Sequence, residues 1–173
     1  MVKPQRLGHL VINVRNLERT KKFYRDVLGL DQTLELKQPP MALFTSGSHD
    51  HHEIGCLEIG MDAEGPRPNQ IGVQHIAFRM ESEQKLIEAY QRLKADNVPI
   101  ECTVDHGLTH SIYMTDPDGY TIEIYVDQPG MNVESLKDPK LVSGMEKLDF
   151  AQDSPSLVEA MRKHGVDLSE VST

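Results

Sequence analysis

The sequence is short of the groups that would tie it to several environments. It has two cysteines in 173 residues, Cys56 and Cys102, and neither belongs to a C-x-x-C pair. A redox or zinc pair of that type is excluded, and the prediction is reduced thiols in an intracellular protein. No apolar run approaches the roughly eighteen residues that a membrane helix requires. The basic start at Lys3 and Arg6 leads into no signal-peptide apolar block. Basic residues are outnumbered 18 to 27, for a net charge of −9, which argues against a nucleic-acid or anionic-membrane partner. A small molecule or another protein chain is left as partner, and the expected setting is soluble and cytoplasmic. The length fits a single domain with a real core.

What the chain does have is a repeat. His9-Leu10-Val11-Ile12-Asn13-Val14 alternates as a half-buried strand does, and sixty-six residues later His75-Ile76-Ala77-Phe78-Arg79-Met80 has the same plan. Each strand leads into an amphipathic helix. The first is capped by Asn16 and stopped by Gly29, and the second is capped by Ser82 and runs to about Asn97. Tyr24 and Tyr90 keep the same offset inside those helices. Three shorter strands follow in each half: Asp31–Lys37, Met41–Thr45 and His51–Ile59, then Ile100–Val104, His110–Thr115 and Tyr120–Val126. The last two strands are joined by the turn Asp116-Pro117-Asp118-Gly119. A tail with Ser154 as N-cap, Pro155 at the first helical position and Gly165 past the end predicts one more short helix.

Alternation also sorts the faces. It predicts Ile122, Ile124 and Val126 opposite Thr121, Glu123 and Tyr125, and Ile112 and Met114 opposite Ser111, Tyr113 and Thr115. In the fourth strand it sets Leu57 and Ile59 opposite His52, Ile54, Cys56 and Glu58. The faces away from the helices then carry His, Glu and Tyr, and two matched imidazoles with a carboxylate make a divalent metal site. His9, His75 and Glu123 are the expected ligands. Such a set suits Fe(II), Mn(II), Ni(II) or Zn(II), and three facial ligands leave three positions open.

These segments resemble a known superfamily. Gly8-His9, the helix end Phe23-Tyr24-Arg25-Asp26-Val27-Leu28-Gly29-Leu30, Val73-Gln74-His75-Ile76-Ala77-Phe78 and Asp116-Pro117-Asp118-Gly119-Tyr120-Thr121-Ile122-Glu123 are similar to the vicinal oxygen chelate proteins, a group that includes glyoxalases, resistance proteins and dioxygenases. The likeness runs from about Leu7 to Val126. It implies an α+β fold of two tandem βαβββ modules forming one curved mixed sheet, a cup or open barrel around a metal, with the helices outside. The expected modules span about residues 4–62 and 71–127, with a linker at about 60–70 and a helical tail from 128 to 173.

Within that superfamily, His51-His52-Glu53-Ile54-Gly55 and Asp105-His106-Gly107-Leu108-Thr109 resemble segments of type I extradiol ring-cleaving dioxygenases. The resemblance makes His52 an acid–base residue, and His106 and Tyr113 partners close to the substrate hydroxyls. The implied enzyme inserts O2 into a catechol at a non-haem Fe(II) centre, with Mn(II) acceptable to the same ligands. Imidazole that titrates near neutrality suits the proton transfers. A glyoxalase I-like isomerase or lyase is the alternative. Glu58 lies one residue off the repeat position of Glu123 and would be its fourth ligand, to Ni(II) or Zn(II). A metal-free ligand-binding or resistance protein is a further alternative. Exposed sheet edges point to a homo-oligomer.

Overall fold

In the computed structural model, residues 1–47, 50–67, 70–138 and 146–164 are described. The chain divides into two compact units, Met1–Gly65 and Pro66–Thr173. Each has a βαβββ core with a four-stranded mixed sheet, and among the described residues no helix is long and apolar enough to cross a membrane.

In the first unit, β1 (Leu10–Val14) leads to α1 (Leu17–Lys22), where the Asn16 side chain accepts the Arg19 N–H at 2.9 Å. The helix continues as a π-helical stretch, Phe23–Val27, and ends at Gly29, whose φ of +72° suits a residue without Cβ. β2 (Asp31–Lys37), β3 (Pro40–Thr45) and β4 (Ile54–Glu58) complete a sheet of order β1-β4-β3-β2, with β1 parallel to β4. Tyr24 stacks on Phe44 over the sheet, with ring centroids 5.5 Å apart, and both side chains are fully buried. One face assignment is corrected. Leu10, Ile12 and Val14 pair with Ile54, Cys56 and Glu58, so these β4 residues lie on the helix-covered face and not on the polar one. Ile54 and Cys56 are buried there, because apolar side chains gain more under the helix than on an open face.

The second unit repeats the plan with β5 (Ile76–Arg79), α2 (Glu83–Ala95), β6 (Ile100–Asp105), β7 (Thr109–Thr115) and β8 (Thr121–Asp127), in the order β5-β8-β7-β6. Ser82 caps α2, and Leu86, Tyr90 and Leu93 form its buried stripe. The tight turn before β8 is held by Asp116, whose Oδ1 accepts the N–H groups of Asp118 and Tyr120, both at 2.9 Å.

The described part of the tail packs on this second unit. The Asp105 N–H donates to the Glu146 carbonyl at 2.7 Å, which covers part of the outer edge of β6. Asp153 accepts from the Tyr90 hydroxyl and from Lys94 at 2.6 Å. The last helix, α3 (Leu157–Lys163), starts two residues later than predicted. Ser156, not Ser154, is its cap, in a reciprocal capping box with Glu159. Ser154 is engaged elsewhere: its hydroxyl meets that of Thr103 at 2.7 Å, and both residues are buried. Gly165, the predicted helix stop, lies outside the described residues.

α3 is anchored at its far end by Glu101, which accepts two bonds from Lys163 at 2.7 and 3.0 Å and one from Thr115 at 3.2 Å. Burial alone would raise the Glu101 carboxyl. Lys163, through its hydrogen bonds and charge, and Thr115 outweigh that and hold it below the usual carboxylate range.

Two outcomes follow for the tail. Ser154→Ala strands the buried Thr103 hydroxyl and lowers unfolding free energy by about 1–3 kcal/mol, while adding Thr103→Val recovers part of that loss in urea titrations. Because the Glu101 carboxyl is depressed in the folded chain, its contribution is complete above its ordinary value of 4.5 and disappears as pH falls through the lower folded one. Protection factors of the amides in 157–163 therefore fall selectively below about pH 4.5, and Lys163→Ala removes that pH dependence.

Candidate metal centre

The polar face of the second sheet gathers four of the residues singled out in the sequence. Strand register explains why. Ala77 pairs with Glu123, Glu123 with Tyr113 and Tyr113 with Cys102, so these four form one row across the sheet, with His75 two residues before Ala77. His75 Nε2 stands 3.1 Å from Glu123 Oε2. The other carboxylate oxygen, Oε1, accepts the Tyr113 hydroxyl at 2.7 Å, and His106 Nε2–H donates to that hydroxyl oxygen at 3.1 Å.

The protonation pattern of this group is set by its partners. His75 Nδ1 lies against the Gln74 side chain, and Nε2 is thereby aimed at the Glu123 carboxylate, a nitrogen and an oxygen that are both ordinary metal donors. Burial first, and then the bond to Glu123, raise the Tyr113 phenol well above its usual value, so it stays a donor. Burial likewise holds the His106 imidazole below its ordinary value, in spite of Glu123 and Asp105. Cys102 closes the row as a thiol, pushed up to about 12 by burial.

A divalent metal fits this pair. Bonds of about 2.0–2.2 Å to imidazole nitrogen and carboxylate oxygen place two ligands at a right angle roughly 3.0 Å apart, and the observed spacing is 3.1 Å. The supports match as well: the other imidazole nitrogen meets the Gln74 side chain, and the carboxylate is held by Tyr113. Among the described residues, no group of three or more His, Cys, Asp or Glu side chains is assembled to hold a metal. His75 and Glu123 are the pair that the second unit supplies.

In the first unit, His9 stands just before β1, exposed, with its ring centroid 4.4 Å from that of His52. His52 is only 7% exposed, and its Nδ1 meets Nδ1 of His51. Burial, and then the adjacent imidazoles His9 and His51, lower the His52 pKa below its ordinary value, so this ring is neutral at pH 7. His51 is thus the immediate partner of His52. That contact had no sequence signal beyond adjacency.

Glu58 does not occupy the place expected of it. Val11 pairs with Gly55 as Ala77 pairs with Glu123, so the residue equivalent to Glu123 in the first unit is Gly55. Glu58 sits on the helix-covered side, and its Oε2 accepts the Leu17 N–H at the start of α1 at 2.6 Å. That is a favourable place for a carboxylate, against the unpaired N–H groups and positive end of a helix.

The model of the Glyoxalase/Bleomycin resistance protein/Dioxygenase superfamily matches residues 6–124, most of the chain and all eight strands but the last few residues of β8. The chain belongs to that superfamily. Among its members, a biphenyl-2,3-diol 1,2-dioxygenase from Rhodococcus globerulus is 31% identical over 123 residues, covering 70% of this chain. This chain spans only 63% of that enzyme's length. A lactoylglutathione lyase from Neisseria meningitidis is also 31% identical, over 131 residues that make up 72% of this chain and 93% of the lyase. The crystal structure of a glyoxalase/dioxygenase from Nostoc punctiforme superposes with a TM-score of 0.62 at 21% identity, over 74% of this chain and 97% of that one. The superfamily's α+β fold is therefore established for this chain, while equal identity to a dioxygenase and a lyase leaves the reaction to the site.

If Gln74 and Tyr113 orient ligands, Gln74→Leu and Tyr113→Phe each weaken binding of Mn(II) or Zn(II) by about 10–100-fold. Competition against a chromogenic chelator measures this, and the thermal midpoint without metal separates a folding defect from a lost orienting contact.

Proposed function

We propose that this protein is an extradiol ring-cleaving dioxygenase that acts on a catechol, with His9, His75 and Glu123 holding Fe(II). The observation that carries the reading is Gly55. A glyoxalase-type site calls for a fourth ligand, and the first unit has a glycine where the second has its carboxylate, while Glu58 is engaged with the helix start. Three ligands leave room for both diol oxygens and for O2.

His75 and Glu123 supply two ligands, and His9 is assigned as the third from the likeness of Gly8-His9. The metal supplies Lewis-acid and redox chemistry, and Mn(II) suits the same donors. Tyr113, held protonated and donating to Glu123, offers its hydroxyl oxygen as an acceptor that orients a diol hydroxyl, and it does not act as the base. His52 is the acid–base residue: neutral and buried, it accepts a proton from the diol and returns it to the product. His106 fixes the Tyr113 hydroxyl. A homo-oligomer in the cytoplasm completes the proposal. The partly exposed Leu34 and Leu36 on edge strand β2 support the association, and two free, buried cysteines support the compartment.

The rival is lactoylglutathione-lyase-type isomerisation, favoured by the near-complete coverage of that shorter relative. Protein loaded anaerobically with Fe(II) and mixed with 2,3-dihydroxybiphenyl in air should give the yellow ring-opened product. Absence of colour with every catechol tried, together with turnover of the methylglyoxal–glutathione hemithioacetal under Ni(II) or Zn(II), would reverse the assignment. In the expected case His75→Ala and Glu123→Gln abolish metal uptake. His52→Gln keeps the metal and lowers kcat by about 10²–10⁴-fold.

A further inference from the structure

We propose that α3 is a wall of the diol site, and that Leu157 sets which ring substituents the site accepts. This rests on the dioxygenase reading above. The superfamily match ends at residue 124, before the tail that carries α3.

The geometry begins at edge strand β6. Its register shifts between Ile100 and Cys102, a bulge that turns Glu101 toward Thr115 while Cys102 pairs with Tyr113. Both therefore lie on the face that carries Glu123. The tail reaches that face by passing over the edge of β6. Phe150 packs on Tyr90 of α2, Ser154 bonds Thr103 on the α2 side, and α3 then seats on the other side. There Ala160 joins Cys102 and Val104 in an apolar cluster, and both Tyr113 and Leu157 pack against that cluster. Lys163 fastens the end of the helix to Glu101.

The consequence is a sharp change of chemistry along one row. Glu123 and Tyr113 offer polar atoms, and two strand spacings from Glu123, about 10 Å, the row ends at Cys102 under α3. A diol whose hydroxyls meet Tyr113 and the ligands presents its ring toward Leu157. Leu157 is only half-buried, so it retains apolar surface to give to a substituent. Small-molecule sites commonly combine a few convergent polar groups with such an apolar wall.

The test uses the full-length Fe(II)-loaded protein without oxygen. Displacement of 4-nitrocatechol, followed by its visible band, gives affinities for catechol and for 2,3-dihydroxybiphenyl. Leu157→Ala should weaken the aryl-substituted diol about tenfold and leave catechol within about twofold, with Leu157→Met restoring the preference. Equal weakening of both diols, or no change in their ratio, overturns the wall, and ring opening in air then judges the dioxygenase reading separately. Diol binding with the expected ratio change but no ring opening keeps the wall and overturns that reading. A protein that takes up Fe(II) and binds neither diol overturns both.

Discussion

The second unit depends on the confrontation of His75 Nε2 with Glu123 Oε2. The two atoms stand 3.1 Å apart, the imidazole partly exposed and the carboxylate buried. Neither can turn away cheaply. Glu123 is tied to Tyr113, Tyr113 to His106, and the whole row is fixed by the pairing of β5, β8 and β7. The arrangement suits a cation, because a nitrogen and a carboxylate oxygen held this close both gain from a positive charge between them, whether a proton or a metal ion. Fold and chemistry meet at this point: the parallel pairing of β5 with β8 sets the spacing, and the side chains on it set the charge.

Much of this was legible in the sequence because it depends on local periodicity. The doubled strand–helix unit, the caps at Asn16 and Ser82, and the turn at Asp116–Gly119 are short-range features with definite residue requirements. Alternation alone placed Tyr113 and Glu123 on one face, and the register then set them side by side. The misassignment of β4 has an equally physical cause. Its stretch from His52 to Ile59 mixes apolar and polar residues at both parities, so alternation does not decide which face is covered. Pairing with β1 decides it, and pairing is a long-range property. The same ambiguity made Glu58 look like the partner of Glu123. The offset between the two units is sixty-six residues in their first strands and sixty-eight in their last, judged by Val11–Gly55 against Ala77–Glu123.

The tail was the least legible part. A helix near its end was expected from Ser and Pro signals, but the serine that looked like a cap is used to bond Thr103, and the real cap lies two residues on. No local rule marks a hydroxyl for a buried partner fifty-one residues away. The attachment of Lys163 to Glu101 is hidden for the same reason: it joins residues sixty-two apart and depends on the bulge that turns Glu101 under the helix.

Gly55 also bears on how readily this chain could change its chemistry. A Cβ at that position would come within 3.0 Å of Leu43 Cδ2 and 3.2 Å of a Val11 methyl. A carboxylate introduced there meets neighbours on both adjacent strands, and both must give way before it could swing toward any ligand. Leu43 is half-buried and Val11 exposed, so each side chain has to shift by a few tenths of an ångström to admit it, a packing cost borne on both flanking strands. Packing as well as chemistry therefore distinguishes this position from its counterpart in the second half of the repeat.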